Sequence, residues 1–313
     1  MTTTSTLHDA LRSIIEAGPF TGGAAVRHIE RDEHVSFDGD TPYPSASVFK
    51  VPVLVEAFRQ MGQGAFSLTD RWELTEEEKS TGSGVLTRLM PGLQPAVRDL
   101  LTLMIIISDN TATDMLVRRL GPERITGTMR ELGYGNTVVA AGCRDLLRGI
   151  LGEASPSLPP HEMARHVRAN PADPDSPAYG GGQDNNISTA NEMADLFARI
   201  HTGQGMDAVG VDGAARATMR EILLLQQLNE RLPRYLPPGV PVAHKTGSLS
   251  GPWAVRNDAG LLDLGERGMV AIAVFTRTRM PADATPEENN RLLTAIDEQI
   301  GAIARAVYDH YAG

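Results

Sequence analysis

Lysine is scarce in this chain, so each position that keeps it calls for an explanation. The 313 residues include 26 arginines but only three lysines, Lys50, Lys79 and Lys245. A lysine removed from water can lose its proton near neutral pH and act as a base, whereas an arginine cannot. The positions that keep lysine are therefore the first places to look for chemistry.

Ser47 precedes Lys50 by three residues, in the segment Ser47-Val48-Phe49-Lys50. A helix that starts after Pro44 would put both side chains on one face, one turn apart. The serine would then lie beside free N–H groups at the helix N-terminus, which can stabilise an oxyanion. Taken alone, the pair is equally explained by an N-cap serine and a solvated lysine.

Lys245 opens a second polar segment, Lys245-Thr246-Gly247-Ser248, at the end of an apolar run that is typical of a strand. Thr246 supplies a hydroxyl, and Gly247 allows close approach of the backbone to a ligand. A third segment, Ser108-Asp109-Asn110, follows the apolar run LLTLMIII and precedes another helical pattern. By itself the third segment is explained as a helix N-cap.

Together, the patterns SxxK, SDN and KTG occur in the order typical of serine enzymes that recognise penicillin. On these residues the chain resembles a class A β-lactamase-type serine hydrolase, a family related to the DD-peptidases. The resemblance covers nearly the whole chain, since the strand Arg256-Asn257-Asp258 also fits the pattern.

The resemblance implies roles for the reacting groups. Ser47 would be the nucleophile that forms an acyl-enzyme, and Lys50 its activating base or proton relay. Ser108 would pass a proton to the leaving nitrogen, and Asn110 would orient Lys50 and bind the substrate amide. The backbone N–H groups of Ser47 and Ser248 would form the oxyanion hole.

The resemblance also implies a binding site for a substrate carboxylate. Lys245 would supply positive potential near Ser108, with Thr246 and Ser248 contacting the same end of the substrate. Arg256 stands where family enzymes often place a carboxylate-binding arginine, and a surface arginine is the alternative.

One family element is missing, because no ExxLN motif follows the SDN segment. In class A β-lactamases its glutamate directs the water that hydrolyses the acyl-enzyme. Counting forward from Ser108 by the family interval reaches Cys143-Arg144-Asp145, so Asp145 is the candidate replacement. Its side chain is one methylene shorter, a large displacement for a water-activating base. Glu153 and Glu162 are weaker candidates, and a capping or surface role for Asp145 is the alternative.

Composition limits the other possibilities. The net charge is −10 and the sequence pI is near 5.3, which argues against nucleic acid or a membrane as partner. A single cysteine excludes an internal disulfide framework. His161 and His166 are five residues apart, not the four of a zinc HExxH motif, so we expect no metal and no cofactor. The N-terminus lacks the pattern of a secretory signal, which predicts a cytoplasmic protein.

Hydrophobic periodicity predicts an α+β fold with one antiparallel sheet built from both termini, flanking helices and an inserted helical subdomain. The predicted α/β subdomain comprises residues 1–46 and 205–313. The helical subdomain comprises residues 47–204 and includes a long, proline-rich loop at 135–186.

The sequence therefore predicts a serine hydrolase that cleaves a small-molecule amide, β-lactam or ester through an acyl-enzyme on Ser47, without metal or cofactor. Two alternatives remain: a penicillin-binding sensor of the same fold that does not turn over, and a DD-peptidase- or esterase-like enzyme. The natural substrate and the oligomeric state do not follow from the sequence.

Overall fold

A computed structural model describes residues 3–150, 162 and 172–312. Its centre is a five-stranded antiparallel sheet in the order β2-β1-β7-β6-β5. The strands of this sheet are β1 (Thr21–His28), β2 (Glu33–Phe37), β5 (Val242–Leu249), β6 (Trp253–Asp263) and β7 (Met269–Arg279). A two-stranded ribbon pairs β3 (Tyr43–Pro44) with β4 (Ile187–Ser188).

Nine α-helices lie in the described part of the chain. They are α1 (Thr3–Glu16), α2 (Lys50–Gly62), α3 (Val97–Ile106), α4 (Asn110–Leu120), α5 (Pro122–Glu131), α6 (Cys143–Ile150), α7 (Ala190–Thr202), α8 (Gly213–Leu224) and α9 (Pro286–Ala312). Short 3₁₀ helices occupy Ala46–Phe49, Leu86–Arg88, Pro177–Tyr179, Asp207–Val209 and Gly265–Arg267.

The sheet joins the two ends of the chain, as predicted. β1 pairs along its whole length with β7, with Thr21 opposite Arg277 and His28 opposite Val270. The terminal helices α1 and α9 pack together over one face, on a core that includes Leu11, Ile272 and Ile300. The prediction of an α+β fold with an antiparallel sheet from both termini is confirmed.

The other face of the sheet carries a larger apolar core that is shared with helices α2 to α5, α7 and α8. α3 is the buried helix that the apolar run predicts, and Leu100, Leu101 and Met104 are inaccessible to solvent. α7 packs against β1 and β7, although the predicted helical subdomain extends to residue 204. The subdomain boundaries stay a prediction.

Within the described residues, no helix is both long enough and apolar enough to cross a membrane. Three residues named above, Glu153, His161 and His166, lie outside the described residues.

Candidate active site

The three motifs meet at one cavity of about 620 Å³ between the sheet edge and the helices. Five of its polar lining residues are ones that a motif predicts: Ser47, Ser108, Asn110, Thr246 and Ser248. Ser83 and Ser250, which no motif predicts, also line it. Among the described residues, no charged side chain lines this cavity. Lys50 and Lys245 are both fully buried beside it.

Ser47 lies in a 3₁₀ turn, Ala46–Phe49, that runs directly into α2 at Lys50. Ala46, immediately before the serine, has a φ of 43°, a left-handed conformation that is strained for a residue with a side chain. Such strain persists only where surrounding contacts hold the backbone, and here Ser45 supplies them: its N–H and its hydroxyl both donate to Asn186 O, at 2.8 and 2.9 Å. The turn therefore holds Ser47 at the cavity in a fixed position.

Asn257 on β6 is a second anchor of this turn. Its Nδ2 donates to Pro44 O at 2.8 Å and to Ser45 O at 3.1 Å, and its Oδ1 accepts from Thr276 N at 2.9 Å. Gly247 is paired opposite Asn257, and a Cβ at Gly247 would lie 2.7 Å from Ser45 O. The glycine is therefore required for close packing of β5 on the serine turn, and its role in the approach of a ligand stays a prediction.

Replacing Asn257 with alanine is expected to reduce the free energy of unfolding by about 3 kcal/mol, because buried polar groups lose their partners. It should also slow any acylation of Ser47 at least about tenfold, since the nucleophile loses a positional restraint. Chemical denaturation gives the first value, and acylation kinetics well below the melting temperature give the second. The exposed Asn290 on α9 is the control, and Asn290→Ala should change neither. Unchanged acylation in folded Asn257→Ala would show that the anchor does not position Ser47.

Lys50 is inaccessible to solvent, and its Nζ makes three hydrogen bonds. It donates to Ser108 O at 2.7 Å, to Ser108 Oγ at 3.0 Å and to Asn110 Oδ1 at 3.0 Å. Burial lowers the pKa of Lys50 below its ordinary value, although Cys143, Asp114 and Asp109 oppose the effect. The lowered pKa increases the fraction of neutral amine at neutral pH.

The partners of Lys50 permit loss of its proton. Two of the three are oxygens that only accept, and two N–H groups of a neutral amine would still satisfy them. The third partner, the Ser108 hydroxyl, can either accept or donate, so it can turn its proton toward the lone pair of the amine. Deprotonation therefore leaves no buried group without a partner, which suits Lys50 and Ser108 to pass a proton between them.

The loop between α2 and α3 holds the segment Ser108-Asp109-Asn110 in a strained backbone conformation. Ser108 has a φ of 57°. Asp109 is the N-cap of α4, as the cap interpretation predicts, and its carboxylate also accepts from Val85 N at 2.6 Å and Leu86 N at 2.9 Å. Asn110 Nδ2 donates to Thr81 O at 2.8 Å. The loop therefore aims both Ser108 and Asn110 at Lys50.

Ser83 belongs to the same loop, lines the cavity and donates to Ser108 O at 2.6 Å. The sequence alone does not reveal Ser83 as a site residue, because no spacing rule connects residue 83 with the three motifs. Its contact depends on the path of the loop between α2 and α3.

Lys245 lies on β5 and donates from Nζ to Thr246 O at 2.7 Å. Burial lowers the pKa of Lys245 well below its ordinary value, and the charge of nearby Lys50 adds to this effect. The amines of Lys50 and Lys245 thus both lie behind the hydroxyl groups that line the cavity. Because like charges repel, protonation of one amine disfavours protonation of the other.

Ser248 marks a cationic end of the site. Its hydroxyl accepts from Arg231 Nη2 at 2.6 Å and from Arg256 Nη1 at 3.4 Å. Arg231 is buried, with its Nε on Asp297 at 2.7 Å and its Nη1 on Gly247 O at 2.8 Å. The motifs point to Arg256 but not to Arg231. Without its tertiary contacts, Arg231 cannot be distinguished from the other 25 arginines as a site residue.

Asp145 does not reach the cavity. It lies near the start of α6, its side chain is 67% exposed, and its nearest cation is Arg148 at 3.9 Å. The helix instead turns Leu147 and Ile150 to the cavity. This geometry does not support the predicted role of Asp145 as water-activating base. Glu162 is not among the described residues that line the cavity.

Asp114 on α4 fixes the start of α6. Its carboxylate accepts from Cys143 N at 2.6 Å, from Arg144 N at 2.9 Å and from the Ser80 hydroxyl. Burial raises the pKa of the Asp114 carboxyl, and its hydrogen bonds oppose that rise. Burial also raises the pKa of the free thiol of Cys143 to about 12, so this thiol is neutral and unreactive at neutral pH.

Three further residues complete the surroundings of the site. The acidic run Glu76-Glu77-Glu78 before Lys79 predicts a solvated lysine, but Lys79 is buried and pairs with Glu76 at 2.7 Å, so that prediction is wrong. His244 is packed in the core against Asp258 at 2.9 Å. Trp253 donates to Pro174 O at 3.0 Å and does not line the cavity. In the described part of the chain, no cluster of three potential metal ligands occurs.

Fold and motifs together are those of β-lactamase-like, penicillin-recognising proteins. Residues 6–311 match the model of the beta-lactamase enzyme family, and the chain belongs to that family. This confirms the resemblance inferred from SxxK, SDN and KTG.

The individual relatives include both a regulatory protein and a β-lactamase. The chain is 27% identical to a β-lactamase regulatory protein, BlaB, of Streptomyces cacaoi, over 88% of this chain and 90% of that protein. A β-lactamase from Sphaerobacter thermophilus is 27% identical with a TM-score of 0.75, covering 98% of this chain and 97% of that one. PBP-A is 25% identical with a TM-score of 0.74, covering 98% and 96%. Family membership alone therefore does not decide between an enzyme and a regulator.

Proposed function

We propose that this chain is a serine enzyme that opens an amide, β-lactam or ester by forming a covalent acyl-enzyme on Ser47. The observation that carries the proposal is Lys50, which is fully buried one helical turn after Ser47 with its Nζ on Ser108 and Asn110, two residues that line the same cavity as Ser47. A buried amine with a lowered pKa suits proton removal from a serine hydroxyl.

Acylation of Ser47 transfers one proton from the serine to the leaving group. Ser47 Oγ forms a bond to the carbonyl carbon of the substrate, and its proton moves to Lys50. The bond from that carbon to the leaving nitrogen or oxygen then breaks, and the proton on Lys50 passes through the Ser108 hydroxyl to the leaving atom, which restores both groups. The N–H groups of Ser47 and Ser248 stabilise the oxyanion. Lys245, Arg231 and Arg256 lie behind the cavity lining, and their positive potential favours a leaving group that carries a carboxylate.

We further propose that the acyl-enzyme is hydrolysed slowly. The observation that favours this is the absence of a carboxylate from the described cavity lining, together with the outward position of Asp145. Without a base to activate water, deacylation loses the factor of about 10² to 10⁴ that general-base catalysis supplies. The limiting case, a sensor that is acylated once, is the second candidate function, and the similarity to a regulatory protein supports it.

Stopped-flow kinetics with a chromogenic cephalosporin and with p-nitrophenyl esters test both parts. We expect a burst equal in amount to the enzyme, followed by slow steady turnover. A burst with no later turnover would favour the sensor. Fast turnover without a burst would contradict slow deacylation, and its loss in Glu153→Gln would identify the base that Asp145 does not supply. Absence of any burst or turnover with all of these probes would contradict the proposed function.

A further inference from the structure

The cavity has an apolar side that the proposed acylation step does not use. Leu147, Ile150, Ala172 and Leu249 line it and also belong to one small hydrophobic cluster; these four residues are here called the apolar wall. Behind them lies Tyr179, which is completely buried. The apolar wall is thus part of a hydrophobic cluster, one side of which is exposed to the cavity.

Backbone and side-chain hydrogen bonds hold this wall together. Asp173 N donates to Ile150 O at 2.8 Å, and Ser176 Oγ donates to Gly149 O at 2.8 Å. Trp253 Nε1 donates to Pro174 O at 3.0 Å, which fastens β6 to the same segment. A wall fixed in this way provides a preformed apolar surface, the usual character of small-molecule sites.

The polar side chains of α6 are directed elsewhere. Arg144 Nη2 donates to Glu77 O at 2.6 Å, and Asp145 is mostly exposed to solvent. Only Leu147 and Ile150 of this helix line the cavity. A charged group bound against the wall would therefore lose its hydration and find no described partner, which is costly.

The wall begins on the Asn110 side of the site. A Cβ at Gly82 would lie 2.5 Å from Asn110 Nδ2 and 3.8 Å from Leu147 Cδ1, so Gly82 bridges the amide and the wall at Leu147. At the other end of the wall, Leu249 follows Ser248 on β5, where Arg231 and Arg256 lie behind the lining and pair with Asp297. Leu147 is therefore the wall residue that adjoins Asn110, in the cavity that Ser47 also lines.

We propose that the apolar wall binds the acyl group, and that the substrate is an amide, lactam or ester of an uncharged, apolar carboxylic acid. This inference rests on the proposed function, because it assigns the Asn110 side to the group that stays on Ser47. Leu147 and Ile150 are then specificity-determining residues.

A series of p-nitrophenyl esters tests the proposal on the unmodified protein, since the leaving group is constant and only the acyl group varies. From acetate through butyrate to hexanoate, the acylation rate constant should rise about threefold for each methylene buried, or on the order of 10²-fold over the series. The p-nitrophenyl monoester of adipic acid has the same chain length as the hexanoate but ends in a carboxylate. It should react at about the rate of the acetate.

Leu147→Asn should flatten this dependence on chain length, so that hexanoate loses most of its advantage over acetate. Gly149→Ala is the matched control on the same helix, because a Cβ there would contact nothing within 4 Å, and it should keep the full dependence. Equal rates for acetate, hexanoate and adipate monoester, with Ser47 acylated by each, would overturn this inference alone. Failure of every ester to acylate Ser47 would overturn the proposed function and this inference with it.

Discussion

Ser47→Ala should abolish formation of the acyl-enzyme, with a loss on the order of 10⁴-fold or more in the acylation rate constant. The nucleophilic oxygen is the atom that becomes bonded to the substrate, and no neighbouring group replaces it. Cys143, the single thiol of the chain, is buried and its pKa is raised to about 12. The burst of released chromophore measures this loss.

The fold should survive Ser47→Ala, because the turn is held by Ser45 and Asn257 through contacts that do not involve the Ser47 side chain. Its melting temperature should match that of the wild-type protein. Ser36→Ala on strand β2 is the control for a serine remote from the site, and it should retain the full burst. A full burst in folded Ser47→Ala would remove Ser47 from the mechanism.

Lys50→Met should slow acylation by about 10³-fold, within the range that general acid–base groups supply. Methionine keeps much of the length and volume of lysine but cannot take a proton. The change also removes one donor from each of Ser108 O and Asn110 Oδ1 and leaves the Ser83 hydroxyl to serve both, so we expect some loss of stability as well. The rate constant must therefore be measured where the variant is fully folded.

The dependence on pH separates the chemical role of Lys50 from a structural one. Burial lowers the pKa of Lys50, and only the neutral amine can accept the serine proton. The wild-type acylation rate constant should therefore rise with pH and become constant above the pKa of Lys50 in the folded protein. Lys50→Met should lose this rise, whereas Lys79→Met, which changes a buried lysine paired with Glu76, should keep it. The same pH profile in Lys50→Met and wild type would show that Lys50 is not the base.

Much of the fold follows from local patterns in the sequence. Short apolar segments around a polar turn predict the β1–β2 hairpin, and helical periodicity predicts the buried helix α3 and the terminal helix α9, because neighbouring residues alone produce these patterns. The motif residues Ser47, Lys50, Ser108 and Lys245 could be found for a similar reason, since their spacing in the chain is itself the signal.

Other parts of the site depend on contacts between distant segments. Asp145 falls at the expected interval after Ser108, but the packing of Leu147 and Ile150 decides which face of α6 meets the cavity. Lys79 follows three glutamates and looks like a surface residue, yet the loop that contains it is folded against α4. Local sequence patterns do not predict how α6 and the loop that contains Lys79 pack against the rest of the protein.

Arg231 and Asn257 illustrate the same limit for binding and positioning groups. Arg231 is one of 26 arginines, and its importance comes from bonds to residues 16, 17, 26 and 66 positions further along the chain. Asn257 acts on Pro44 and Ser45, more than 200 residues away in sequence. Only the assembled sheet brings such groups to the nucleophile.

The most direct test of acyl-enzyme formation on Ser47 is mass spectrometry of the intact protein and of its peptides after incubation with penicillin G and with p-nitrophenyl hexanoate. Acylation should add a mass equal to the whole penicillin or to one hexanoyl group, located on the peptide that contains Ser47 and absent from Ser47→Ala. Because deacylation is proposed to be slow, the adduct should persist after excess reagent is removed. An adduct on a different residue, or no adduct with either reagent, would contradict Ser47 as the nucleophile.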